Sequence, residues 1–264
     1  MDALVSTKAN SIAYQRSTVI IPAYNEEKRL MPVLYELCEY IRSNSLEWKV
    51  MVSIDGDDGT ESNVKIMMQE YSFLSYSKGK GRGGKGAAIK RAITSATGEF
   101  VILMDADGSV PLKEIVKALD LTNYYDLIIF DRYSNRGNRI PFIRRFPSRG
   151  FNKLVRIFLG LKINDTQCGY KIIKREYAQR AFNKITISNA FFDVALLYYL
   201  KKERAKYIEI PVEYNYDRNS KFHVVELVLG EGISLIAFRI RNSRFYKYVP
   251  EKLISLYYRK FRWI

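Results

Sequence analysis

Two aspartates one residue apart, Asp105 and Asp107, follow the apolar run Phe100-Val101-Ile102-Leu103-Met104 and precede Gly108 and Ser109. An apolar run cut off by acid reads as a strand buried on both faces. In an open α/β sheet, ligands collect just beyond the carboxyl ends of such strands. Two carboxylates there offer hard oxygens to a divalent cation, which in turn can hold phosphate oxygens. The same residues also suit a polar turn, because Asp and Gly are common turn formers. A second apolar run, 48–54, likewise ends in acid, at Asp55-Gly56-Asp57-Asp58-Gly59-Thr60. Asp55 at that tip can accept hydrogen bonds from a base or ribose, and residues 58–60 can cap the next helix.

Residues 79–86 read Gly-Lys-Gly-Arg-Gly-Gly-Lys-Gly and lead into a pattern of Ala87, Ala88, Ile89, Ala92 and Ile93. A phosphate-binding P-loop is one reading, but that motif needs Ser or Thr after its lysine, and Gly86 stands there. A flexible basic loop over an anionic ligand, or a plain solvated turn, accounts for the same residues.

These residues need a frame that brings strand ends together. The run 18–22 predicts a first strand, and apolar Leu30, Val33, Leu34, Leu37 and Ile41 predict a helix to about Ser43. Strands are also expected over 48–54, 73–77, 100–104, 126–130 and 207–212, with helices to about Tyr71, from Pro111 to about Thr122, and from Phe191 to about Lys202. Alternating β and α elements imply an α/β fold with a mostly parallel sheet covered on both faces.

Composition narrows the chemistry. The 264 residues are 47% hydrophobic, enough for one large core or a core with an appendage. The formal charge of +15 predicts an anionic partner: nucleic acid, anionic lipid or a phosphorylated ligand. Two cysteines imply no disulfide framework, and with a single histidine they cannot build a zinc site of the usual kind. Residues 1–16 lack the apolar core of a signal peptide, and the apolar stretch 224–238, carrying Glu226 and Glu231, falls short of a bilayer span.

Charge is not spread evenly. Residues 132–156 hold eight Lys and Arg, no acid, and Tyr133, Ile140, Phe142, Ile143, Phe146 and Phe151 among them. Basic residues mixed with large apolar ones suit a surface resting on anionic headgroups. Nucleic acid would use the same residue types, but no recognised nucleic-acid module holds these residues and that reading leaves the acidic strand ends unexplained. Residues 239–264 repeat the pattern, with eight Lys or Arg against Glu251 and with Tyr257, Tyr258, Phe261 and Trp263. The expected division is a catalytic domain over 1–221, its basic segment at 132–160, and an amphipathic helical tail over 222–264.

Six motifs stand in the order seen in family 2 glycosyltransferases of the GT-A fold. They are the run from Val19 to Glu27, the Asp55 turn, Gly84-Lys85-Gly86, Asp105-Ala106-Asp107, the run from Asp165 to Lys171, and Arg218-Asn219-Ser220-Lys221. The last two resemble the dolichyl-phosphate sugar synthases, nearest to the β-glucosyl type. The resemblance implies inverting, metal-dependent transfer of a hexose from a nucleotide-diphosphate sugar, UDP-glucose foremost, to a polyprenyl phosphate. GDP-mannose as donor and a glycan hydroxyl as acceptor are the alternatives.

The resemblance also assigns roles. Pro22, Tyr24, Glu26 and Asp55 would line base and ribose, and Lys85 would lie near base or diphosphate. Asp105 and Asp107 would hold Mg2+ or Mn2+, with Ser109 standing where the mannosyl type carries a metal-binding Gln. Arg132, Arg218, Ser220 and Lys221 would contact donor diphosphate or acceptor phosphate, and Arg132, Arg139, Arg144, Arg145 and Arg149 the acceptor. Asp107 and Arg132 would act in the transfer step. Asp193 would serve as base if the acceptor were a hydroxyl, whereas a phosphate acceptor is already anionic. The family's Phe-Asp-x-Glu is here Phe192-Asp193-Val194-Ala195, without its Glu. The expected location is the cytoplasmic face of a membrane, peripherally attached.

Overall fold

Alternation along the central strands sorts the core into two layers. In β1 (Ser17–Tyr24), Val19 and Ile21 face one layer and Ile20 the other; in β4 (Phe100–Leu103), Phe100 and Ile102 oppose Val101 and Leu103. All seven are buried, as period-two side chains on a sheet covered on both faces must be. The computed structural model describes residues 16–216, 224–248 and 250.

Within them the sheet has seven strands in the order β3-β2-β1-β4-β6-β5-β7. The remaining strands are β2 (Lys49–Asp55), β3 (Leu74–Lys78), β5 (Leu127–Asp131), β6 (Lys171–Lys174) and β7 (Tyr207–Pro211). β6 runs antiparallel between β4 and β5, and the other pairings are parallel. The expected mostly parallel α/β sheet is therefore present. The β6 strand reverses the chain so that the 164–170 loop returns to the tip of β4.

Helices α1 (Glu27–Ser43), α2 (Thr60–Met67) and α4 (Leu112–Ala118) pack on the layer that includes Val19. Helices α3 (Lys85–Ile93), α5 (Phe142–Leu159), α6 (Arg175–Lys184), α7 (Phe192–Lys202) and α8 (Val224–Arg241) serve the other layer. The 224–238 stretch thus lies within a helix of the second layer, where Leu235 and Phe238 join the core and α8 lies against α5. No helix among the described residues is long and apolar enough to cross a membrane. Residues 251–264 of the expected amphipathic tail lie outside the described residues.

The acidic turn after β2 is tied to the turn after β1. Asp58 Oδ1 accepts from the Thr60 N–H at 3.1 Å, in a turn that leads into α2, whose N-cap is Gly59 and carries no side-chain cap. Its Oδ2 accepts from the Glu27 N–H of α1 at 3.0 Å, and Thr60 Oγ1 accepts from the Glu26 N–H. One loop thus satisfies orphan donors of two helices.

Candidate active site

Parallel strands β1, β2 and β4 end side by side, and their terminal residues meet at one rim of the sheet. Asp55, at the tip of β2, is buried and doubly engaged. Its Oδ2 accepts from the Gly83 N–H at 2.8 Å and its Oδ1 from Arg91 at 2.8 Å. The carboxylate therefore anchors the basic glycine-rich loop from β3 to α3. Arg82 of that loop lies 4.9 Å over the ring of Tyr24, which stands exposed at the end of β1. Pro22 is half-buried in the same strand. Glu26 is held by Arg29 through two hydrogen bonds of 2.7 Å each.

Asp105 lies just beyond β4. Lys85, the first residue of α3, places Nζ 2.8 Å from Asp105 Oδ1 and 3.5 Å from Asp193 Oδ2. Asp193, buried in the first turn of α7, pairs in turn with the fully buried Lys171 at 2.6 Å. Burial opposes both ionised forms, but the opposite charges prevail: Lys85 is raised by Asp105 and Asp193, and Asp193 is lowered by Lys171 and Lys85. Two lysines and two aspartates thus balance one another in a partly dry site. Asp107 stands exposed beside them, accepting from the Ser109 N–H at 3.0 Å.

Two glycines make this arrangement possible. A Cβ on Gly169 would lie 2.0 Å from Asp105 Oδ2, so the 164–170 loop can cross the aspartate only as glycine. A Cβ on Gly86 would lie 2.8 Å from the Phe192 ring. The residue that departs from the P-loop pattern is the one that seats α3 on α7 and brings Lys85 to Asp193.

Asp105 and Asp107 form a hard-oxygen donor pair of the kind Mg2+ and Mn2+ take, since these ions keep water and phosphate as their other ligands. Among the described residues no cluster of three His, Cys, Asp or Glu side chains stands ready to hold a metal, so a cation there would draw on substrate oxygens. The residues fit such an ion. Buried Ser109 gives the pair its backbone N–H, through Asp107, and its carbonyl accepts from the Asn215 N–H at 2.7 Å.

Arg132, which follows β5, forms a two-pronged pair with buried Asp165 at 2.7 and 2.8 Å, and its backbone N–H also donates to Asp165 at 3.1 Å. Tyr133 and Tyr214 each lie 5.4 Å from the guanidinium carbon. Burial raises the Tyr214 hydroxyl above its ordinary pKa, and Arg132 opposes the rise. Tyr170 donates its hydroxyl to the Asp105 carbonyl at 3.2 Å. Arg139 and Arg149 are exposed on the segment after Arg132. Arg145 is partly buried on α5, and its Nε has no hydrogen-bond partner. The side chain of Arg144, and all of Arg218, Ser220 and Lys221, lie outside the described residues.

The sequence reading brought Asp55, Lys85, Asp105, Asp107, Arg132 and Asp193 to attention, and the fold gathers Lys85, Asp105 and Asp193 at one point, with Asp107 two residues beyond Asp105. It passed over Arg91, Lys171, Tyr214 and Glu231. Lys171 looked like part of a polar turn, and only its complete burial marks it.

Residues 18–182 match the family described as Glycosyl transferase family 2. The chain belongs to that family. This glycosyltransferase is 30% identical over 234 residues to a dolichyl-phosphate beta-glucosyltransferase of Trichomonas vaginalis, covering 80% of this chain and 67% of the relative. It is also 30% identical to the dolichyl-phosphate beta-glucosyltransferase of Homo sapiens, over 85% of this chain and 75% of that one. Among solved structures it shares the fold of Mycobacterium tuberculosis glucosyl-3-phosphoglycerate synthase, crystallised with Mn2+, uridine-diphosphate-glucose and phosphoglyceric acid. There the TM-score is 0.60 at 17% identity, covering 84% of this chain and 78% of the other.

Proposed function

We propose that this glycosyltransferase moves glucose from UDP-glucose to a polyprenyl phosphate of the dolichyl type, with inversion, using a divalent metal on Asp105 and Asp107. The observation that carries the choice of acceptor is the state of Asp193. Both of its oxygens are paired with lysines, and its carboxyl is held below the usual Asp range, so it is a poor proton acceptor. A hydroxyl acceptor needs a base within reach; a phosphate, already anionic, does not. The names of the relatives support the same acceptor and sugar, and the Mn2+ and UDP-glucose of the solved neighbour support the donor and metal.

A divalent ion held by Asp105 and Asp107 would supply stabilisation of the charge on the departing diphosphate. The chain's own residues do the rest. Lys85, released from Asp105, meets the diphosphate at the start of α3. Arg132, fixed by Asp165 and flanked by Tyr133 and Tyr214, presents its remaining N–H groups to the acceptor phosphate. Tyr24, Arg82 and the loop pinned by Asp55 lie on the nucleotide side.

The lipid tail stays in the bilayer while its phosphate reaches the site. Phe142, Ile143, Phe146, Ile157 and Phe158 are exposed on α5, with Arg149 exposed among them. An exposed apolar row mixed with arginines supports docking on an anionic membrane surface next to Arg132.

The test is a radiolabelled-sugar assay with polyprenyl phosphate, comparing UDP-glucose, GDP-mannose and UDP-N-acetylglucosamine. Transfer from UDP-glucose that Asp105→Asn and Asp107→Asn abolish, in proteins that still melt cooperatively, is the expected result. Wild-type rates in either variant remove the metal role, and transfer only to a glycan hydroxyl removes the acceptor.

A further inference from the structure

Helix α8 lies in the apolar second layer, yet it buries two polar side chains about one turn apart, Glu231 and Ser234. Burying such groups costs free energy unless they are bonded, and an apolar residue at either place would avoid the cost. Both are bonded, and to different loops. Glu231 Oε1 accepts from Gln167 Nε2. Ser234 Oγ accepts from Asn189 Nδ2 at 3.2 Å.

Each loop holds part of the active site. Gln167 sits between Asp165, which grips Arg132, and Gly169, on which Asp105 rests. Asn189 follows Ser188, whose carbonyl accepts from the Gly86 N–H beside Lys85. Asn189 Oδ1 also accepts from the Phe191 N–H, at the start of the helix that carries Asp193. One face of α8 thus touches the loops that set both cations of the site.

We propose that Glu231 is a positioning residue of this glycosyltransferase, acting through Gln167 to hold the 164–170 loop, and with it Arg132 and Asp105, in the geometry that binds the donor and acceptor phosphates. The inference rests on the function proposed above. Burial pushes the Glu231 carboxyl up to about 8; the Gln167 hydrogen bond opposes the rise, Asp193 on α7 adds to it and Arg132 after β5 opposes it. Near neutral pH the clasp is a neutral acid whose carbonyl accepts the Gln167 amide. Above about pH 8 it becomes a buried carboxylate; the Gln167 amide still donates to it, but its repulsion from ionised Asp193 shifts the clasp away from the site.

The full chain carrying Glu231→Gln or Glu231→Leu tests this. The two readouts are binding of UDP with Mn2+ by calorimetry, and kcat against pH between about 6 and 10, a range that spans the carboxyl's titration. Glutamine keeps the acceptor oxygen, so E231Q should match wild-type kcat at neutral pH and lose the alkaline fall. E231L leaves the Gln167 amide unpaired and should weaken UDP binding and lower kcat by about tenfold each. Wild-type UDP affinity and kcat in E231L overturn the proposal, as does an alkaline fall in E231Q equal to that of the wild type. If E231L does not fold, the E231Q profile decides alone. Absence of any transfer to polyprenyl phosphate by the wild type would count against the acceptor reading, and the UDP affinities would still decide the clasp.

Discussion

Lys85 Nζ lies 2.8 Å from Asp105 Oδ1, so the carboxylate that leads the Asp-x-Asp pair already has a cationic partner. A divalent ion brought to the same oxygen meets a like charge at close range. Lys85 must give way, and a diphosphate arriving with the ion offers it a new partner. Metal and nucleotide should therefore bind with positive coupling.

The coupling is measurable without turnover. Mn2+ titrated into the wild type and followed by electron paramagnetic resonance should bind weakly alone and more tightly with UDP. Lys85→Met, which removes the competing cation, should tighten Mn2+ alone by about tenfold and shrink the effect of UDP. Equal Mn2+ affinity in both proteins would mean that Lys85 leaves Asp105 at no cost.

Gly169→Ala asks whether the position of Asp105 matters as much as its charge. The added Cβ would lie 2.0 Å from Asp105 Oδ2, so the carboxylate or the loop must move. A displacement of about an ångström in such a site costs about a hundredfold in rate. Transfer should fall that far while the far-ultraviolet dichroism stays unchanged. A rate within a few-fold of the wild type would show that the loop adapts freely.

Lys171 is wholly buried and answers Asp193 at 2.6 Å. Lys171→Met removes one member of a buried pair and leaves a carboxylate short of its partner, at a cost of about 3–5 kcal/mol. Urea unfolding should show the loss as a lower midpoint. The pair also sets an acid limit. The folded-state pKa of Asp193 lies below its ordinary value of 3.8, so its contribution is present above that value and is lost as pH falls through the folded pKa. The gap between wild type and Asp193→Asn should accordingly narrow below about pH 4. A gap constant with pH would place the stabilisation elsewhere.

The exposed row on α5 predicts salt-sensitive attachment. Each arginine near an anionic surface contributes about 1 kcal/mol, screened by salt. Arg149→Ala should lower partition onto phosphatidylserine vesicles about fivefold in sedimentation at low salt, and less at high salt. Phe146→Asp should weaken binding at both. Binding indifferent to salt and to Phe146, which is 67% exposed, would remove this surface from the acceptor route.

Much of the frame was legible in the residues. β1, β2, β4, β5 and β7 lie within a residue or two of where apolar runs placed them, because a strand covered on both faces leaves a local, continuous mark. Asp105, Asp107 and Asp55 were legible for the same reason: each stands where such a run stops. Helix α6 and strand β6 were not, since Lys171 to Lys174 is short and flanked by charge.

Partnership was the part that local pattern could not carry. Asp55 looked like a free ligand for a base, yet in the fold both of its oxygens hold the basic loop. Gly86 looked like a defect in a phosphate loop, and it is the contact that lets α3 meet Phe192. Glu231 read only as a charge in an apolar stretch. The sequence by itself determined the strands, the acidic tips and the basic flank, because periodicity and composition act over a few neighbours. Only the tertiary structure decided which charges meet, because Gln167 and Glu231 are 64 residues apart and the cost of burying each depends on what the other brings.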